Sequence, residues 1–400
     1  MIGERCRSEQ NRGDRTMSGR GLSDVIVVGG GAIGGAVALA LADRGVSVTV
    51  LEAGRVGRGA SWAAAGALAP DWGGGDPPAL TALAEASLEL WPDYAAELEG
   101  RTGVGLSFSR QGLLEVWLDP NGAHLPPELA TEPCPCPDGR GEVLSAAEVR
   151  RLEPVLTGPV LGGVLHSGSG QVDNPRLAPA LLRAATDLGA RVIADTPVAA
   201  LLGSGGRCTG VRTASGVEIH AGMVVLAAGA WTGPLAASSG IDLPVEPWRG
   251  QMLLFDTPAR VVGHMVFCGE LVLVPRAHGP LIVGTTFEKV GFDARVTLAG
   301  LHQITARASR VVPGLGDLPL ARSWAGLRPV TPDHLPYLGP VPGWEGLYAA
   351  TGHGRKGIIL APITAALMAR LVLDDDLDPL LFPCLPSRVS AGNLADEPSV

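Results

Sequence analysis

The apolar positions of the chain fall into two kinds of pattern. Val25 to Val28 is an unbroken apolar run, followed by Gly29-Gly30-Gly31-Ala32-Ile33-Gly34 and by small apolar residues from Ala36 to Arg44. A short β-branched run that opens on glycines predicts a buried strand; the longer run after it predicts a helix, closed by Gly45. A second strand, VSVTVLE, ends at Glu52. The same order returns near the other end, where GLYAATGHGRKGIILAPITAALMARLVL passes from a strand through Gly352, Gly354 and Gly357 into a helix. Between them Asn174 as N-cap, Pro175 at the first helical position and Gly189 at the close predict another helix. Strand-like runs follow at 191–202, 208–213 and 223–228.

Residues 100–165 and 246–322 read differently. Short apolar runs such as GQMLLFD, LVLVP and LIVGTTF alternate there with turn residues, which predicts antiparallel sheet. The expected fold is α/β plus α+β. A Rossmann-type nucleotide-binding domain takes 24–99, 166–245 and 323–373, and an antiparallel-sheet substrate domain, 100–165 and 246–322, is interleaved with it. Residues 1–23 are expected as a disordered extension and 374–400 as a C-terminal tail.

Composition narrows the function classes. The 400 residues exceed one ordinary core, and 46% are apolar. A net charge of −9, with no basic run, speaks against a nucleic-acid partner. The six cysteines, at 6, 134, 136, 208, 268 and 384, contain no C-x-x-C pair, and Cys134-Pro-Cys136 lacks histidines at metal spacing. No metal site is expected, and free thiols fit a cytoplasmic protein. The first 23 residues are polar and lack the apolar core of a signal peptide, with Met17 a second candidate start. Residues 25–42 and 357–373 approach the length of a membrane span. Glycines interrupt the first, and Pro362 and Arg370 the second, so neither is expected to cross a bilayer.

The glycine run carries the first chemistry. Gly29 permits a tight turn, Gly31 a close backbone approach to a pyrophosphate, and Gly34 close packing of helix on strand. The N-terminus of the helix offers N–H groups and positive dipole to phosphates. Glu52, 18 residues beyond Gly34, can accept from both hydroxyls of a ribose and would repel a 2′-phosphate. The stretch 54–70 is nearly all small residues, so its backbone can lie flat against a large planar ligand. The small-residue stretch beside the first G-x-G-x-x-G points to FAD rather than NAD.

Several stretches together resemble the D-amino-acid oxidase family of FAD enzymes. They are DVIVVGGGAIGG, SWAAAGALAP, GQVDNPRLAPALLRAA, VVLAAGAWTG, PWRGQ, WAGLRPVTPDHLPYLG and ATGHGRKGIILAP, in family order over residues 24 to about 373. Within that family the chain is most similar to the glycine oxidases of thiamine biosynthesis. The resemblance implies non-covalent FAD held by Gly29, Gly31, Ala32, Ile33, Gly34, Glu52, Ala53, Ala60, Ser61, Ala65, Gly66, Ala67 and Val198. The turn His353, Gly354, Arg355, Lys356, Gly357, Ile358 and Ile359 completes the set. It also implies that Arg328 grips the substrate carboxylate and that Arg355 lies near flavin and substrate. Plainer roles stand beside these: a structural pair of Arg328 with Asp333, a solvated loop charge for Arg355, and a structural His353.

The expected reaction is oxidative deamination of glycine or another small amino acid by hydride transfer to flavin N5. It consumes molecular oxygen and yields the 2-oxo acid, ammonia and hydrogen peroxide. Two positions depart from the glycine-oxidase pattern: Val272 stands where a tyrosine is expected over the substrate, and Ala67 where a methionine is. Both imply a roomier, less polar pocket. Two other readings remain. One is a dehydrogenase of the same fold for D-amino acids, sarcosine or an opine, with a non-oxygen acceptor. The other is a flavin-binding subunit without turnover. A homo-oligomer is left open.

Overall fold

The computed structural model describes residues 23–71, 75–118, 141–257, 260–277 and 279–390. The extension before Ser23 and the proline-rich loop with Cys134 and Cys136 lie outside the described residues.

Two eight-stranded sheets organise the chain. In the first, Leu347–Thr351, Glu218–Leu226, Ser23–Val28, Val48–Leu51 and Arg191–Ile193 run parallel, and Tyr337–Pro340 closes one edge antiparallel. The hairpin Val198–Ser204 and Arg207–Thr213 hangs from Glu218–Leu226. Val25 to Val28 is buried throughout because helices cover one face and the hairpin side the other, which is why an all-apolar run suits it. Val28 pairs with both Leu226 and Leu51, so the carboxyl ends of the central strands align. In open parallel sheets that edge is where ligands bind.

Helices Ala32–Asp43, Pro78–Thr102, Asn174–Asp187 and Ala361–Asp374 form one core on this sheet, with Trp91 fully enclosed. The first begins at Ala32, four residues earlier than the apolar pattern suggests, because Gly31 itself is its N-cap. The helix at 174 takes Asp173 as its N-cap, so Asn174 lies inside it with its side chain free for other work.

The second sheet runs Leu320–Val330, Glu246–Phe255, Leu281–Gly284, Leu271–Pro275, Met265–Cys268, Leu113–Leu118, Val160–His166, Glu142–Ser145. Its pairs are antiparallel except Met265–Cys268 with Leu113–Leu118. Alternation along Leu271–Pro275 sends Leu271 and Leu273 to a core shared with helix Leu298–Val311. Val272 and Val274 go to the other face, with Met252 and Phe267. Both faces are covered, so this strand too reads as uninterrupted apolar sequence.

Two segments at the expected domain boundaries are packed. Leu320–Val330, expected from 323 onward with the nucleotide-binding domain, is paired along its length with Glu246–Phe255, and Arg328 lies opposite Trp248. Its polar and proline-rich sequence hid a strand. The expected tail is packed as far as its described residues go: Leu381 and Cys384 are buried in the helical core. No helix among the described residues is long and apolar enough to cross a membrane.

Candidate active site

A cavity of about 640 Å³ opens between the carboxyl ends of the parallel strands and the inner face of the second sheet. Its nucleotide end is built by glycines. Gly29 has φ +113°, and a Cβ there would overlap the carbonyl of Ala227. A Cβ on Gly34 would overlap the carbonyl of Gly29, so this residue packs the helix onto its strand and does not line the cavity. Gly31, Ala32 and Ile33 do line it, at the N-terminus of Ala32–Asp43. Ser61 fixes that terminus by accepting from the Ala32 N–H at 2.8 Å.

Glu52 lines the same end, beside Ala53 and Val198. Its carboxylate accepts from the N–H groups of Gly30 (2.7 Å) and Gly54 (3.0 Å). A carboxylate has about four lone-pair sites, so acceptor capacity remains for a diol.

The small-residue segment forms one wall, with Ala60, Ser61, Ala65, Gly66 and Ala67 on the cavity. Asn174, buried and absent from the expected site, holds it in place. Its amide donates to the carbonyls of Ser61, Trp62 and Ala64 at 2.7, 3.1 and 2.9 Å. Its own oxygen accepts from Arg276 at 2.7 Å. Trp324, on the second sheet, donates to the carbonyl of Ala63 at 2.9 Å.

At the opposite end Arg328 reaches the cavity wall. Its Nη1 donates to the carbonyl of Thr286 at 3.0 Å and its Nη2 to the Thr285 hydroxyl at 2.7 Å. The guanidinium lies 4.5 Å over the Phe287 ring and flat against Gly250, where any Cβ would overlap it. Among the described residues no carboxylate comes within ion-pair distance. Asp333, the partner weighed from the sequence, belongs instead to Arg388, at 2.6 Å. Burial, and then the like charge of Arg355, press the Arg328 pKa down to about 10, so it stays cationic at neutral pH. The guanidinium keeps N–H groups to spare in an apolar wall, a geometry that can take a bidentate anion.

The surrounding wall is apolar. Val272, Met252, Phe267 and Phe287 line it with Ala67 and Ala69. Arg355 is no solvated loop charge: it pairs with Asp76 at 2.8 Å on the rim. Lys356 shares that carboxylate at 3.0 Å and donates to the carbonyls of Ala69 and Pro70, both at 2.9 Å. Burial brings its pKa down to about 8 against the pull of Asp76. His353 touches the cavity, but its Nε2 meets the Thr364 hydroxyl at 3.2 Å, and burial pushes its pKa down to about 3. It is neutral, and its contact with Thr364 ties the turn to helix Ala361–Asp374. Gly354, Gly357 and Ile358 line the cavity; Ile359 does not, being packed in the helical core, where its carbonyl accepts from Ser87 and Trp91.

The site thus joins a glycine cradle, a helix N-terminus and a carboxylate with acceptor capacity to spare to a buried guanidinium across one cavity. That is the outline of a flavoenzyme holding a dinucleotide and a small anionic substrate end to end. Residues 24–371 match the FAD dependent oxidoreductase family, and the chain belongs to it. The cofactor is FAD, and the fold's class is that of its FAD-binding relatives. Glycine oxidase of Pseudomonas putida is 37% identical over 366 residues, which are 90% of this chain and 96% of that one. The crystal structure of glycine oxidase from Geobacillus kaustophilus superposes with a TM-score of 0.82 at 33% identity, covering 92% of this chain and 98% of that one. L-proline dehydrogenase from P. horikoshii also gives 0.82, at 25% identity, covering 94% and 99%.

Proposed function

We propose that this FAD-dependent amino-acid oxidase converts glycine or another small amino acid, with oxygen and water, to the 2-oxo acid, ammonia and hydrogen peroxide. The observation that carries the reading is Arg328: a cation with no carboxylate among the described residues, set in an apolar wall of the cofactor cavity. FAD, when bound, supplies the acceptor for the hydride that leaves the substrate Cα.

The chain's own part is binding and orientation. Arg328 grips the carboxylate in a planar fork, which fixes the direction of the Cα–H bond. Orientation of this kind supplies much of the acceleration where no acid–base step is needed. Val272, Met252, Phe267 and Phe287 exclude water from the reacting carbon. His353 is tied to Thr364, and Lys356 to Ala69, Pro70 and Asp76, so neither is placed to take a proton from the substrate amine. Arg328 and Arg355 are among the cations that line the cavity, and both disfavour an ammonium beside them. The uncharged amine is therefore the form that reacts, the ammonium having given its extra proton to water beforehand.

Support also comes from the glycine oxidases at 37% and 33% identity. The test is steady-state kinetics of wild type and Arg328→Ala with glycine and with slightly larger amino acids. A variant with wild-type kcat/KM would remove the assignment.

A second reading, a dehydrogenase passing electrons to a carrier, is favoured by the likeness to L-proline dehydrogenase and by the apolar wall around Val272. Fast turnover with a dye acceptor and slow turnover with oxygen would select it.

A further inference from the structure

Arg328 is held by three consecutive residues: the Thr285 hydroxyl, the Thr286 carbonyl and the face of Phe287. This tripeptide lies just beyond the strand Leu281–Gly284, outside any strand, so ladder pairing does not fix it. Its far end is fixed by Glu288. One oxygen of Glu288 accepts from the Thr286 hydroxyl at 2.6 Å and from the Gln251 amide at 2.7 Å. The other accepts from Arg249 at 2.5 Å. Residues 249 and 288 also exchange both backbone hydrogen bonds, at 2.9 and 3.0 Å. The Gln251 N–H donates to the Thr286 hydroxyl at 3.0 Å, closing the network.

Arg249 is the foundation. Its side chain is only 5% exposed, and its Nη1 donates to the carbonyls of Asp293 and Arg295 at 3.3 and 3.1 Å. Burial alone would raise the Glu288 pKa, but the hydrogen bonds from Arg249, Thr286 and Gln251 outweigh it and bring it to about 2. Glu288 is thus a fixed anion across the working pH range. Both oxygens of Glu288 are engaged in this network, and removing one member leaves the rest uncompensated.

We propose that Glu288 is a positioning residue for the substrate carboxylate: anchored on Arg249, it holds Thr286, whose carbonyl sets Arg328 at the cavity wall. The inference rests on the reading of Arg328 as the carboxylate-binding group. Glu288 touches neither substrate nor cofactor, so its loss acts through the aim of the guanidinium.

The test compares FAD-loaded wild type, Glu288→Ala, Glu288→Gln and Arg328→Ala. The probe is acetate, a carboxylate without an amine, titrated against the flavin absorbance; amino-acid KM and kcat, FAD affinity and melting temperature are measured alongside. Glu288→Ala is expected to weaken acetate binding and raise KM about tenfold or more, with FAD affinity within about twofold. Glu288→Gln keeps one acceptor oxygen, so a loss of about threefold is expected; it carries the test if the alanine variant does not fold. A merely structural role would lower the melting temperature and leave acetate binding as in wild type. Wild-type acetate affinity in both Glu288 variants, with binding lost in Arg328→Ala, overturns the proposal. Wild-type affinity in Arg328→Ala shows instead that the carboxylate role of Arg328 has failed, and the proposal falls with it.

Discussion

Asp333 and Arg388 form a two-pronged ion pair, Nε to Oδ2 at 2.6 Å and Nη2 to Oδ1 at 3.1 Å. The pair draws the C-terminal segment onto the turn that follows Leu320–Val330 and takes the one carboxylate near Arg328 in sequence. Removal of Asp333 and removal of Arg328 should therefore have different effects. Asp333→Ala should lower stability by about 2 kcal/mol, the worth of hydrogen bonds between charged groups, and leave KM unchanged. Arg328→Ala should lower kcat/KM about 100-fold or more, as expected when a desolvated charge loses its partner. Denaturant unfolding and steady-state kinetics on both variants check this.

Asn174 ties three carbonyls of the small-residue wall to Arg276. Asn174→Ala would leave those carbonyls unpaired and loosen this wall of the cavity. The expected result is FAD affinity weakened about tenfold, the equivalent of one or two lost hydrogen bonds. Titration of the apoprotein with FAD, followed by fluorescence, measures it.

Val272, on the inner face of the second sheet, meets the cavity with no polar atom. Val272→Tyr narrows the pocket and adds a hydroxyl. One methylene of fit is worth about tenfold or more in specificity. The kcat/KM ratio of glycine to D-alanine should therefore rise about tenfold in the variant; an unchanged ratio would place the substrate elsewhere.

His353 gives a pH signature. Its folded pKa is pushed by burial to about 3, below the ordinary 6.5. The unfolded chain therefore binds a proton between pH 6.5 and 3 that the folded one refuses, and stability falls as pH drops through that window. The full shift corresponds to about 5 kcal/mol, of which about 3 is felt at pH 4.5. In His353→Asn the loss of stability between pH 7 and pH 4.5, read from urea unfolding, should be smaller by that amount.

Much of this site was legible in the sequence because its signals are local. The spacing of Gly29, Gly31 and Gly34, the acid at Glu52 and the isolation of Arg328 among Trp, Leu and Pro all lie within short stretches. The contacts that hold them are not local. Asn174 meets Ser61 across 113 positions, and Lys356 meets Ala69 across 287. Asn174 carried a strong local signal for a helix cap, and tertiary packing took its side chain one residue past that role. Arg355 carried no signal of Asp76, its partner on the rim. The strand at Leu320–Val330 was hidden for a different reason: it pairs fully on one side, yet its residues serve the cavity more than the sheet's core. Gly34 packs its helix on the strand as its spacing predicts, whereas Ile359, in a motif that lines the cavity, faces the core.

The most direct test is anaerobic mixing of the FAD-loaded protein with glycine and with small D- and N-substituted amino acids, following the flavin absorbance. Rapid bleaching by at least one of them is expected in wild type, with the rate saturating in substrate, and slow or absent bleaching in Arg328→Ala. Bleaching at the same rate and the same half-saturation in both proteins would contradict the account, as would a yellow wild-type protein that none of these amino acids reduces.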